Sequence, residues 1–204
     1  MKYAASFTIF LSFLVFSYIP NAEASDGTLP DSLTIIHVVN DFYNWYLNAI
    51  KKHQYAEFNP QFTSDDKGMT TLSFSPYLEN LAKHHFSDEL ISKEEKSYQN
   101  CLANLEDVKF ADFQKTAFTD IDEYEEAGCD FGNYYRWIGG MEPVDGIRIK
   151  RISFQSENLA SVFIGYFKQD AKSGKKTYWG NNTLTLIRKQ QNWYIDNIAS
   201  WREQ

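Results

Sequence analysis

Few residues of this chain have the type and spacing to do chemistry. The most promising carboxylate is Asp196, inside the run Trp193-Tyr194-Ile195-Asp196-Asn197-Ile198. On a strand, Asp196 shares an alternating face with Tyr194 and Ile198. Turned inward, that face would desolvate the carboxyl and raise its pKa toward use as a general base. Turned outward, or bonded to a neighbouring strand, the same carboxylate is structural. His84 and His85 stand four positions before Asp88 and Glu89, and residues four apart share a helix face. Adjacent histidines point to different faces, so each pair offers two ligands where zinc needs at least three from protein. A helix surface with one partly buried histidine is the better reading, and no metal is expected. The run Asp120-x-Asp122-Glu123-x-Glu125-Glu126 has the carboxylate density of a calcium loop. It places Tyr124 at the fifth loop position, where Asp or Asn is required, and lacks the following glycine, so it reads as a solvated acidic loop.

Tyr134-Tyr135-Arg136-Trp137 is a cluster of another kind. Aromatic rings beside an arginine are typical of binding surfaces and of the mouths of small-molecule pockets. Packing into a core next to Gly139-Gly140 would use the same residues, and Trp179 has the same two readings. The chain contains no Gly-x-Ser-x-Gly, no His-Glu-x-x-His and no phosphate-cradling glycine loop. These absences favour binding over catalysis, and no cofactor is implied.

The elements that would position these residues divide into two halves. From Leu33 to Lys52 the apolar positions Ile35, Val38, Val39, Phe42, Trp45, Tyr46, Ala49 and Ile50 recur at steps of three and four, which predicts a helix. Ile36, Tyr43 and Leu47 widen the stripe past half the circumference, so something must wrap this helix. Asp31 or Ser32 can cap it. Residues 54–74 lose periodicity and carry loop chemistry. Ser75-Pro76 reads as a cap followed by a first-turn proline, and Ser87-Asp88-Glu89 as a second helix start whose periodicity runs on to Leu105. Residues 106–132 are acidic and irregular. From Val144 onward the pattern is strands: Ile147 and Ile149, then Ile152 and Phe154 with opposite parity, which one extra residue near Lys150-Arg151 explains as a bulge. Leu159–Phe167 reads as a central strand, Tyr178–Arg188 as a third with a bend at Gly180, and Trp193–Ile198 as the last. Helices first and an antiparallel meander last make an α+β domain.

Lys2, the apolar run from Phe7 to Ile19 and the Ala22-Glu23-Ala24 site read as a signal peptide over residues 1–24. Residues 25–204 then form one domain with its core in 33–200, periplasmic or secreted. No cysteine precedes Cys101, so a lipid anchor has no attachment point. In an oxidising compartment Cys101 and Cys129 read as a disulfide; two buried thiols or a redox pair are the alternatives. The net charge is −7, and without a basic stripe such a chain is a poor ligand for nucleic acid or anionic lipid.

A helix holding Phe42-Tyr43-x-Trp45-Tyr46-Leu47, then Pro76-Tyr77-Leu78, then the terminal Trp193–Ile198 strand resembles a bacterial family of exported domains of unknown function. The fold of that family is similar to the nuclear transport factor 2-like (cystatin-like) cone. The resemblance covers roughly residues 33–200. It implies N-terminal helices packed in the concave face of a curved antiparallel sheet, and it implies no reaction. The functional expectation is an exported binding or protein-interaction module, of immunity or envelope-assembly type, that docks an envelope or secreted protein. The alternative is a small-molecule enzyme of the same fold with Asp196 as base. A third expectation is a passive domain that forms homo-oligomers through its sheet.

Overall fold

The structure is a computed structural model, and it describes residues 29–115, 126–129, 131 and 135–200. The leader, the acidic run 120–125 and Tyr134 lie outside these residues.

Helix α1 (Leu29–Lys51) carries the predicted stripe. Ile35, Val38, Val39, Phe42, Tyr43, Tyr46, Leu47, Ala49 and Ile50 are all buried, while Trp45 is half-buried. The helix begins before the expected caps. Asp31 sits in its first turn and accepts a hydrogen bond from Trp193 Nε1 at 3.2 Å, with Arg188 Nη1 3.3 Å away. Its carboxylate ties the helix start to the sheet instead of capping the helix.

The sheet is a four-stranded antiparallel meander: β3 (Gly146–Ser156), β4 (Leu159–Gln169), β5 (Lys176–Lys189) and β6 (Asn192–Ser200), in that order. The expected bulge is present, with Ile149 paired to Ile164 and Arg151 to Phe163, which leaves Lys150 as the extra residue. Gly180 is the expected bend. It has φ +61° and lies where the β4–β5 register shifts between Ile164 and Tyr166. Ala160, Val162, Ile164, Tyr166, Leu184, Leu186, Trp193 and Ile195 are buried, and they share a core with the α1 stripe.

Between these halves the sequence reading needs correction. Residues 54–74 are not a loop: α2 (Tyr55–Phe58) is followed by a hairpin of β1 (Gln61–Ser64) and β2 (Thr70–Ser73). The strands are too short to show alternation. Asp65 Oδ1 accepts the N–H groups of Lys67 and Met69 at 2.9 and 2.8 Å to close the turn. Helix α3 (Tyr77–Lys83) starts one residue after Pro76, and the Ser75 hydroxyl donates to Glu79 at 2.7 Å rather than capping the helix. Helix α4 (Asp88–Lys96) is capped as predicted, with Ser87 Oγ accepting from Leu90 N at 3.1 Å. The helical run then breaks at Ser97-Tyr98 into α5 (Gln99–Leu105). A short α6 (Phe110–Phe113) interrupts the segment expected to be irregular. Cys101 and Cys129 are disulfide-bonded and fully buried, with Cα atoms 4.9 Å apart. Among the described residues no helix is long and apolar enough to cross a membrane.

Candidate functional site

The turn after Tyr135 brings Tyr135, Arg136 and Trp137 together, with the Trp137 ring in the core and Tyr135 and Arg136 half-buried. Tyr135 and Gly140 form a one-residue antiparallel bridge, with Tyr135 N donating to Gly140 O at 2.9 Å. The tight turn needs Gly139 at φ +74°, a region that favours glycine. Trp137 is 4 % exposed and packs edge-on against Phe86 and Phe42, at 4.9 and 6.3 Å between ring centroids. Its carbonyl accepts the hydroxyls of Tyr43 and Tyr166 at 3.1 and 3.2 Å. Burial pushes both phenol pKa values well above the ordinary range.

Asn182, 2 % exposed, stands close enough to both hydroxyls to offset part of that rise. Its own amide atoms, like Trp137 Nε1, nevertheless make no hydrogen bond of normal geometry. Arg136 reaches the other way. Its Nε donates to Glu94, and its Nη2 to Ser97 Oγ at 3.1 Å. Glu94 is 2 % exposed and also accepts the hydroxyls of Tyr77 and Tyr98, at 2.9 and 2.7 Å. Burial works against the Arg136 charge, but the Glu94 carboxylate together with the Tyr98 and Tyr77 oxygens more than offsets it and raises the guanidinium pKa.

Trp179 is the most exposed of the predicted residues that the structure describes. It pairs with Tyr166 across β4 and β5 and is 41 % exposed, close to Met141 at 58 %. Both line an open cavity of about 270 Å³, with Ile138, Glu142, Tyr166 and Gly180. That is near the lower limit of known ligand pockets, roughly 300 Å³, and suits one side chain or one small ring. Tyr166 links the cavity wall to the buried Tyr43–Trp137 hydrogen bonds.

Asp196 lines neither this cavity nor the second one, which lies between the α4 start and the β5–β6 turn. It is half-buried, and its Oδ1 accepts the Ser87 hydroxyl at 2.6 Å. The same loop is bound to the edge of β6, with Ser87 N donating to Ile195 O and Ile195 N to His85 O, at 2.8 and 2.7 Å. The anticipated histidine–carboxylate pairs do not form. Asp88 and Glu89 belong to α4, whereas His84 and His85 end α3, and His85 sits at φ +64°. His84 instead meets Asp41 of α1 at 2.6 Å and stacks on Trp45, 4.5 Å between centroids. No group of three metal-ligating side chains occurs among the described residues.

The outer sheet face carries a cluster that sequence reasoning missed. Because Lys150 is the bulged residue, Arg148 and Arg151 project on the same side, opposite Gly165 and Phe163. Arg151 lies 4.2 Å over the Phe163 ring, Arg148 5.8 Å over Tyr178, and Lys176 4.1 Å over Phe167. Lys150 crosses Gly165, where a Cβ would come within 2.6 Å of its Cε, and donates to Asn181 Oδ1. The parity switch between Ile149 and Ile152 was the signal that could have revealed this row. No family model, no curated protein and no solved structure matches this chain.

Proposed function

We propose that the chain is an exported, non-enzymatic binding module of the cell envelope, built as a nuclear transport factor 2-like cone. It grips a side chain of a partner protein in the cleft beneath Trp179. The observation that carries this reading is the filled interior. Phe42, Tyr43, Tyr46, Phe86 and Trp137 are all nearly or fully buried and occupy the space in which an enzyme of this shape would hold its substrate. Of the two open clefts described, the one beneath Trp179 has an exposed tryptophan and methionine at its lip, residue types enriched at protein interfaces. A helix laid on an antiparallel meander with bulged strands supports the cone. The buried disulfide supports export with removal of residues 1–24.

The test is a pull-down from envelope extract with wild type, Trp179→Ala and Met141→Ser in parallel. The reading expects a protein recovered by wild type and lost with Trp179→Ala. Recovery that is indifferent to both substitutions, or no recovery at all, would remove it.

A further inference from the structure

We propose that the outer face of β3, β4 and β5 binds an anionic polysaccharide of the uronate type along the row Arg151, Lys150, Arg148 and Lys176. This site lies on the opposite side of the sheet from the Trp179 cleft and does not depend on it.

Charge segregation is the first argument. In a chain of net charge −7, these three strands contain no Asp or Glu. Of their basic residues, Lys168, Arg188 and Lys189 pair with Glu142, Asp31 and Glu89, which leaves Arg148, Lys150, Arg151 and Lys176 as the charge of this face. At physiological ionic strength fields decay over about 8 Å, so a ligand on this face meets the local cations, with the acidic remainder of the molecule screened. None of the four cations pairs with a carboxylate among the described residues.

The second argument is preorganisation. Three of the four lie across aromatic rings, and Lys150 is laid flat because Gly165 presents no side chain beneath it. Gly146 likewise leaves room for the Phe167 ring, which would stand 2.5 Å from a Cβ there. Long cationic side chains normally lose rotamer entropy on binding; here much of that ordering is already in place.

The same geometry selects the ligand class. Single-stranded nucleic acid needs uncovered ring faces for base stacking, and Arg151 and Lys176 cover the faces of Phe163 and Phe167. A protein partner would bury an apolar centre. Beyond the row, however, this face offers one exposed aromatic, Tyr178, with Arg148 over its ring, and otherwise hydroxyls: Ser153 and Ser161, paired across β3 and β4, and Thr183 and Thr185 of β5. Hydroxyls beside fixed cations match a polymer that carries many hydroxyls and regularly spaced carboxylates. The disulfide is compatible with an oxidising, extracytoplasmic setting, where such polymers occur.

The experiment uses the disulfide-intact mature chain and measures its affinity for polygalacturonate, with dextran, poly(dT), poly-glutamate and phosphatidylglycerol vesicles as parallel arms. Polygalacturonate should bind, weakening as salt rises; dextran should not bind, and the other three should bind more weakly. Arg148→Ser with Arg151→Ser should lower affinity about tenfold, the scale of an exposed charge-assisted contact, at an unchanged melting temperature. Lys150→Ser alone should lower it less. The proposal is overturned if polygalacturonate does not bind, if dextran matches it, if any other polyanion or the vesicles bind more tightly, or if the double substitution leaves affinity unaltered.

Discussion

Arg136 donates from Nε to Glu94, a carboxylate at 2 % exposure that also takes the hydroxyls of Tyr77 and Tyr98. The guanidinium is the only full positive charge on Glu94 among the described partners, and it spans from the 135–140 turn to α4. Removing it leaves a buried anion with two phenols for company. Arg136→Met should therefore cost about 3 kcal/mol, the scale of a broken buried pair. Replacing both residues with apolar side chains, as in Glu94→Leu with Arg136→Met, should cost less than the single change. Chemical denaturation of the two variants distinguishes these outcomes, and a double variant no more stable than Arg136→Met would mean that the unpaired carboxylate is not the source of the loss.

Two glycines on facing strands should respond differently to alanine. Gly180 sits at φ +61°, and a Cβ there would come 3.3 Å from Tyr166 Cδ2. Gly180→Ala should destabilise by about 1–2 kcal/mol through backbone strain. Gly165→Ala would displace Lys150, whose Cε lies 2.6 Å from the new Cβ, and would otherwise meet Gly180 O at an ordinary 3.6 Å. The far end of a long exposed side chain can yield, so the melting temperature should barely change although Lys150 loses its place over the glycine.

Reduction should loosen the α5 region selectively. The Cys101–Cys129 bond closes a loop of 28 residues, worth about 3 kcal/mol in the chain-entropy model. Cys101→Ala with Cys129→Ala should lower stability by about that much. Hydrogen exchange should rise in α5 before it rises in β4 and β5.

Stability should fall at both ends of the pH scale, for different reasons. The Gln169 N–H, 2.7 Å from Asp145 Oδ2, holds that carboxyl below its ordinary pKa, with Lys51 at 3.2 Å adding to the effect against the cost of burial. A depressed carboxylate contributes stability above its unfolded pKa of about 3.9 and loses it as pH falls through the folded value. Asp145→Asn should thus be less stable than wild type at neutral pH, and the difference should shrink as pH falls below about 3.9. Burial raises the pKa of Tyr43, Tyr46, Tyr77, Tyr98 and Tyr166. Their contribution is whole below the unfolded pKa of about 10 and declines as pH climbs beyond it. Absorbance titration should show these five ionising only together with unfolding.

The amide of Asn182 is buried beside Tyr43 and Tyr166 with neither atom hydrogen-bonded. Asn182→Leu should leave stability equal or raise it by about 1 kcal/mol, because a desolvated, unsatisfied amide is worse than an apolar isostere. A large loss would show that the amide is anchoring the tyrosine pair.

Much was legible in the chain because it is encoded in local periodicity. The stripe from Ile35 to Ile50 demands a helix buried on more than half its surface. The parity switch between Ile149 and Ile152 demands a bulge, and Ser87 three residues before Leu90 demands a cap. Each is a statement about neighbours within one turn or one strand, where spacing alone decides geometry. The hairpin at 61–73 escaped because four-residue strands carry too little pattern to read. The partners of single polar side chains escaped because they lie far off in sequence. Nothing near Arg136 indicates that it would neutralise Glu94, 42 positions away, or that Asp196 would receive the hydroxyl of Ser87, 109 positions away. The row of cations on the sheet was half written in the bulge, but its completion by Lys176 depended on the register of a second hairpin. Composition and periodicity determined the elements and their buried faces. Only the packing of those elements decided which aromatic residues fill the interior, which ones reach the surface, and where an acidic protein gathers its positive charge.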